Sequence, residues 1–442
     1  MKLGVVITTF NRPEYLKECL DSIERADIPH NTVFIFVDDC SIDKFVGQHI
    51  NSFCDKINRE FFIIDKDVRS GICKSLLLGY KKAFESECDV VMNLDSDSVI
   101  RNDAFTEILA LHNNYPDRIV TGFHSTTKNA NGTERHIILK ELEDGYKKKS
   151  CGGINFCMNK QIFERYLEPS LKFCLEKGGN FDHLTSINCN ADDNPIVSVK
   201  QSVIQHIGII SSLGHAAGIE KPDTADTFIP IHLPNVTLVC ADCIDVNGAM
   251  RAITKSIQNI KFGAVKFFTH FTIPKNRSFE IININQLRSK EDYSRFIFDD
   301  IVKYIDTDYF LIIQADGYAV NYKAWANEFL SVDYIGAKWA WYDDGMRCGN
   351  GGFSLRSKRL HEILRDDKNI VLTNDNIITN YAEDHNICRI YRHYLEENYG
   401  IKYASDELCD RFSIEAWKNP DAKYKGSFGF HGNGIYFGYF KI

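Results

Sequence analysis

No run of 18 apolar residues occurs in the 442-residue chain, so nothing in it reads as a membrane span. The opening MKLGVVITTF is apolar but too short for a secretory signal. It lacks a small-residue cleavage site and runs into Asn11-Arg12-Pro13, where Asn11 and Glu14 bracket Pro13 in a capping-box arrangement. A disulfide framework is missing too. The 14 cysteines are scattered, and Cys19, Cys88, Cys157 and Cys388 sit inside apolar patterns as small hydrophobes do. Cys240 and Cys243 form a lone C-x-x-C without a second pair or nearby histidine to complete a zinc set. These absences predict a cytoplasmic setting, where the sequons at Asn131, Asn235 and Asn276 carry no weight. Basic charge is in short supply, with 52 Lys and Arg against 60 Asp and Glu and a net charge of -8. That argues against a nucleic-acid partner and leaves room only for a local basic patch or peripheral membrane contact. Lys147-Lys148-Lys149 is the short basic run, read as a solvated loop.

What is present is ordinary for a globular protein: 44% apolar and 25% charged residues. The length predicts two or three domains. Apolar strands alternate with amphipathic helices. Gly4 to Thr9, Val33 to Val37, Phe61 to Ile64 and Asp89 to Leu94 read as strands, with helices after Pro13 and Gly71. The plan recurs with little identity in Val236 to Cys240, Ala264 to Phe268, Phe279 to Ile284 and Tyr309 to Ile313, with a helix over about Glu291 to Tyr304. This order predicts an α/β chain of two tandem domains, each on a mostly parallel, Rossmann-type sheet. Three of only ten prolines (Pro222, Pro230 and Pro234) fall between Ser211 and Pro234. The expected domains are therefore 1–210 and 236–442, joined by a linker over 211–235. The aromatic tail from Ile435 to Ile442 reads as a packed terminal strand.

In open α/β sheets ligands bind beyond the carboxyl ends of the strands. In the first half those ends carry Thr8 and Thr9, then Asp38 and Asp39, then Asp95 and Asp97. A D-x-D after a buried strand suits a hard divalent cation beside a diphosphate, where Lewis-acid neutralisation of a leaving phosphate is needed. Asp38 or Asp39 could accept hydrogen bonds from a base or ribose. The plainer alternative for each acid is a solvated turn former.

The segments VVITTFNRPEYLKECLDSI, FIFVDDCS, RSGICKSLLLGY and VVMNLDSDSVI resemble family 2 glycosyltransferases of the GT-A fold, over about Met1 to Gly208. The resemblance implies a nucleotide-sugar donor, by default a UDP-sugar, with Mn²⁺ or Mg²⁺ and inversion at the anomeric carbon. It implies donor contacts at Thr8, Asp38, Asp39, Arg69 and Asp95. Gln205-His206-Ile207-Gly208 resembles the segment whose histidine completes the metal shell, so Asp97 and His206 are the expected metal ligands. Asn180-Phe181-Asp182 resembles the segment that carries the catalytic base. Asp182 is the candidate, with Asp192 and Asp193 as alternatives. Gly152-Gly153 fits the acceptor region only loosely, which leaves the acceptor open.

The second half carries Asp316 (with Gln314 where a first acid would stand), Asp333-Tyr334-Ile335-Gly336-Ala337, Trp339, Gly349-Asn350-Gly351-Gly352-Phe353-Ser354-Leu355-Arg356, Glu383-Asp384 and Phe430-His431-Gly432. This order resembles a domain-of-unknown-function family regarded as a relative of sugar transferases. By analogy Asp316 and His431 hold a metal and Asp384 or Glu383 is the base. Cys240, Asp242, Asn350, Gly351 and Gly352 would then contact the donor. The small residues of the Gly349–Arg356 stretch let a ligand approach the backbone closely, or form a tight turn.

The combined expectation is a bifunctional, metal-dependent, inverting glycosyltransferase of polysaccharide biosynthesis, adding two sugars in succession to a glycan or glycoconjugate. The alternatives are one active domain with a degenerate acceptor-binding partner, a carbohydrate-binding module, or a nucleotidyltransferase. The last would want an early Gly-rich basic loop, and none follows Thr9.

Overall fold

The computed structural model describes residues 1–128, 134, 136–208, 225, 228–374, 381–416, 423–432, 436–437 and 440–441. Contacts divide the chain into Met1–Pro230 and Ile231–Ile442. Among the described residues the 14 cysteines form no disulfide, and no helix is long and apolar enough to cross a membrane. Asn131 and most of the 211–235 stretch lie outside the described residues.

The first unit is built on a nine-stranded mixed sheet. Its parallel part runs in the order Glu60–Asp65, Thr32–Asp38, Leu3–Thr9, Val90–Asp95. Leu3–Thr9 and Thr32–Asp38 are buried at every position, which is why they read as unbroken apolar runs. Glu60–Asp65 is the edge and exposes Phe61 and Ile63. The chain reverses direction across the sheet between Leu3–Thr9 and Val90–Asp95, so a crevice opens at their carboxyl ends. Beyond Val90–Asp95 the sheet continues with the antiparallel Cys157–Asn159.

Two local expectations are corrected here. The helix Pro13–Glu24 has no side-chain cap; Arg12 stands at its N-cap in the left-handed region at φ 60. Asn11 is left-handed as well, and its side chain accepts from the backbone N–H of Ile42 and Asp43 instead. Lys147-Lys148-Lys149 is no solvated loop. Lys147 and Lys148 end the strand Gly145–Lys148, and Lys148 is buried with Nζ 3.4 Å from His124 Nδ1.

The second unit has a six-stranded sheet with Glu280–Asn283, Ile260–Thr269, Ile231–Ala241 and Tyr309–Ile313 parallel in that order, then Ser354–Ser357 and Tyr334–Ile335 antiparallel. The reversal falls between Ile231–Ala241 and Tyr309–Ile313, as between the first and fourth strands of the first unit. Strand Ile231–Ala241 begins inside the stretch expected as linker. Its pairing shifts between Leu233 and Thr237, where Pro234 has no N–H to donate, so the sequence reads as strand only from Val236 onward. The helix expected over Glu291 to Tyr304 changes winding along its length: Lys290–Arg295 is α, Phe296–Asp300 a π turn and Ile301–Tyr304 3₁₀. In the tail, Tyr436–Phe437 pairs with Phe440–Lys441, and its packing lies outside the described residues.

Candidate functional site

In the first unit a cavity of about 300 Å³ lies at the sheet reversal. Of the residues predicted from sequence, it gathers Thr8, Asp39, Arg69, Asp95, Asp97 and His206. His206 arrives from far along the chain because Ile204–His206 pairs antiparallel with Ser98–Ile100, the strand that follows the D-x-D. The N–H of Ile207 donates to the Asp97 carbonyl at 2.8 Å, and His206 Nε2 lies 3.3 Å from Asp97 Oδ2.

Arg12 meets that same carboxylate oxygen at 2.8 Å. Successive left-handed residues at Asn11 and Arg12 aim the guanidinium back into the crevice, a conformation held against its intrinsic cost. One Arg12 nitrogen is buried without a hydrogen-bond partner. Gly208 completes the pocket wall; a Cβ there would fall 2.0 Å from Asp97 Oδ2.

Charge divides the two D-x-D acids. Burial opposes ionisation of Asp97, but hydrogen bonds and charge from His206 and Arg12 outweigh it and hold the carboxyl below its ordinary value. Burial pushes Asp95 well above that value, and the negative charges of Asp97 and Asp182 add to it.

Asp38 and Asp39 separate in role. Asp38 accepts from Thr9 Oγ1, Ser41 N and Ser41 Oγ, ties two strand ends together and is not among the residues lining the cavity. Asp39 accepts from the N–H groups of Ser70 and Gly71 and pairs with Lys66. It thereby fixes the turn in which Arg69 lies over the Phe10 ring at 4.1 Å and Gly71 adopts φ 83. The helix Ile72–Glu85 starts there, and its free N–H groups suit an anion.

Asp182 opens the helix Phe181–Ala191 and accepts from His183 N and, at 3.3 Å, Gly153 N. It lies near enough to Asp95 to raise its proton affinity. None of Asp182, Asp192 and Asp193 is in the cavity lining; Asp192 is bound to Arg165 and Tyr166, and Asp193 is exposed.

The second unit holds a cavity of about 700 Å³ lined by Asp316, Asn350, Gly351, Gly352, Glu383, Asp384 and His431 among others. His431 Nε2 is 3.7 Å from Asp316 Oδ1, and the N–H of Gly432 donates to the Asp316 carbonyl at 2.9 Å. The acid, the histidine and the backbone bond after the histidine repeat the arrangement of Asp97, His206 and Ile207. Glu415 accepts at 3.0 Å from His431 Nδ1, since Ser413–Glu415 pairs in register with Gly429–His431. Gln314 links His431 Nε2 at 3.1 Å to the Tyr293 hydroxyl at 2.9 Å. Burial works against a charge on His431, but Glu415, Asp316 and Asp384 prevail and raise its proton affinity.

The two candidate bases have different partners. Glu383 forms a buried ion pair with Arg356 at 2.7 Å. Asp384 accepts from Gly351 N and His385 N, both at 2.8 Å. Burial, with the charge of Glu383 added, pushes the Asp384 carboxyl up to about 6. A carboxylate so tuned beside a cavity has the chemistry of a general base.

The other second-half candidates have partners within the fold. Cys240 is fully buried in the apolar core and is not among the residues lining this cavity. Asp242 accepts from the N–H groups of Ile244 and Asp245, a turn former. The glycines of the Gly349–Arg356 stretch make room for protein side chains. A Cβ on Gly349 would meet Trp339 at 2.4 Å, on Gly351 Glu383 at 2.3 Å and on Gly352 His431 at 2.0 Å.

A divalent cation fits each site in part. Asp97 with His206, and Asp316 with His431, each set one carboxylate oxygen against one imidazole nitrogen, and diphosphate oxygens commonly complete such shells. Glu415 on the far nitrogen of His431 is the arrangement that orients a metal-binding imidazole. Among the described residues no three His, Cys, Asp or Glu gather as a complete metal cage.

Residues 4–167 match the model described as glycosyl transferase family 2, and residues 276–431 match one described as a protein of unknown function (DUF5672). Each match covers less than half of the chain, and both resemblances expected from sequence are borne out. No curated protein matches. Among solved structures, S. aureus TarS is 19% identical with a TM-score of 0.36, covering 46% of this chain and 36% of its own. S. aureus TarS 1-349 in complex with UDP is 18% identical, with a TM-score of 0.37 and 46% and 60% coverage. GalNAc-T7 with UDP, GalNAc and Mn²⁺ is 13% identical, with a TM-score of 0.37 and 45% and 41% coverage. This chain thus spans less than two thirds of each of these solved chains.

Proposed function

Starting from a chain whose first unit is a family 2 glycosyltransferase domain, we propose a metal-dependent, inverting enzyme that uses both of its cavities. The first takes a nucleotide sugar, by default a UDP-sugar. The observation that carries this reading is the convergence of Thr8, Asp39, Arg69, Asp95, Asp97 and His206 on one crevice at the sheet reversal. Arg12, Arg69 and the start of helix Ile72–Glu85 present positive charge and N–H groups to a diphosphate. A cation held by Asp97 and His206 would supply Lewis-acid neutralisation of the leaving diphosphate. Asp182 accepts the proton of the acceptor hydroxyl as its oxygen attacks the anomeric carbon.

The second unit is proposed to perform a second transfer onto the product of the first, with Asp384 as base and Asp316 and His431 as the cation site. The repeated geometry of acid, histidine and following N–H supports it. Covalent linkage in one chain raises the concentration of the first product near the second site. Mass spectrometry of products from a nucleotide-sugar panel tests the reading on the full chain and on Asp182→Asn and Asp384→Asn. The two variants are expected to stop at different points, one at the unmodified acceptor and one at a one-sugar intermediate, and mixing them restores the final product. Loss of the same single bond in both overturns the two-transfer reading.

A further inference from the structure

One wall of the cavity in the second unit is aromatic, and none of the chemistry above uses it. Trp339, Trp341 and Tyr342 line it together, with ring centroids 5.7 to 6.0 Å apart and planes tilted by 33° to 60°. The wall is braced from behind. Gly349 packs against the Trp339 ring so closely that a Cβ there would clash. Arg389 covers Tyr342 at 4.0 Å and is itself held by Asp344 and the Met346 carbonyl. A surface fixed in this way loses little freedom when a ligand binds.

The wall adjoins the candidate base. His385, next in sequence to Asp384, lies 3.2 Å from the Tyr342 hydroxyl and 6.2 Å from Trp339 between ring centroids. The rest of the lining is rich in carboxylates: Asp316, Glu383, Asp384 and Glu415, against Lys290 and His431. Such a lining offers carboxylate acceptors to hydroxyl groups. Aromatic ring faces in a cavity that also holds carboxylate acceptors match a pyranose, which has a C–H face and a rim of hydroxyl donors. A cavity of about 700 Å³ has room for more than one ring.

We propose that Trp339, Trp341 and Tyr342 form the acceptor subsite of the second unit, which binds a neutral pyranose by its C–H face with one hydroxyl turned to Asp384. The assignment deepens the two-transfer reading and rests on it for the role of Asp384. In the transfer the hydroxyl proton passes to Asp384 and the oxygen bonds to the donor's anomeric carbon. The anomeric C–O bond breaks, and its electron pair leaves with the nucleoside diphosphate.

The test is calorimetric titration of the full chain, without donor, with methyl glycosides and disaccharides of glucose, galactose, mannose and N-acetylglucosamine, and separately with UDP. At least one saccharide is expected to bind. Trp341→Ala should weaken it by about tenfold or more and Trp341→Phe should restore most of it, because the contact is a ring face. Asp384→Asn should lose the second transfer. Circular dichroism and melting of the Trp341 variants guard against loss of fold, and Tyr342→Leu provides the same reading should Trp341→Ala not fold. The proposal is overturned if no saccharide binds, if the Trp341 and Tyr342 variants bind like the parent, or if the same substitutions abolish UDP binding instead. Ring-dependent saccharide binding in a unit that transfers nothing would uphold the subsite and refute the second transfer.

Discussion

Asp384→Asn should stabilise the second unit while it removes activity, and the gain should depend on pH. The Asp384 carboxyl moves from an ordinary value of 3.8 to about 6 because burial and the neighbouring Glu383 charge disfavour ionisation. At about 1.4 kcal/mol per tenfold in proton affinity, ionised Asp384 costs the fold about 3 kcal/mol. The sign follows from proton counts. Between pH 4 and about 6 the folded unit holds a proton on Asp384 that the unfolded chain has released, so wild-type stability falls as pH rises through that window. Asparagine carries no charge at any pH, but it can keep only one of the two N–H bonds now made by Gly351 and His385, a loss of about 1 kcal/mol. The net gain is then about 2 kcal/mol above pH 7, or roughly 4–8 °C in melting temperature for a unit of this size. It should shrink or reverse near pH 4. Calorimetric melts of wild type and variant in metal-free buffer from pH 4 to 8 measure it. A melting difference that is flat across this range, or a variant less stable at pH 8, refutes the assignment of a strained carboxylate.

Three further outcomes are expected. Asp182→Asn should lower the first transfer by about 10²- to 10⁴-fold with UDP affinity nearly unchanged, because a base acts mainly in the transition state; product mass spectrometry and calorimetry read the two quantities. Chelation should abolish transfer and Mn²⁺ restore it, with full activity after exhaustive chelation excluding the Asp97–His206 and Asp316–His431 sites. Glu383→Gln should destabilise the second unit by about 3–5 kcal/mol in urea unfolding, since it strands the buried Arg356 charge; a change below about 1 kcal/mol would mean that Arg356 finds another partner.

The parallel strands were legible because burial on both faces demands unbroken apolar runs, and that pattern survives without knowledge of partners. The acids Asp95, Asp97 and Asp316 were legible for a related reason: a carboxylate straight after such a run stands at the mouth of the sheet. What could not be read was set by contacts distant in sequence. Asn11 has the residue type and spacing of a helix cap, yet its side chain serves Ile42 and Asp43, about 31 positions away. Cys240 and Asp242 occupy a strand end as Asp38 and Asp39 do, but one turns into the core and the other closes a turn. Glu415 belongs to no motif. Only the pairing of Ser413–Glu415 with Gly429–His431 brings it to the imidazole.

The stretch from Gly349 to Arg356 shows why a correct motif can be given the wrong physical reason. Its glycines suggested a backbone laid bare for a ligand. Instead each admits a specific side chain: Trp339 over Gly349, Glu383 over Gly351 and His431 over Gly352. Arg356 at the end of the stretch then neutralises Glu383, which leaves Asp384 as the carboxylate whose proton affinity the site raises. The same glycines therefore seat Trp339, Glu383 and His431 together. Asn350 shows the cost of this packing: it holds φ 65, and its side chain accepts from Gly352 N while facing His431. A left-handed asparagine is tolerated there because its amide closes the turn and meets the imidazole at once. Small residues in this stretch thus mark the places where side chains of the cavity wall pack against the backbone.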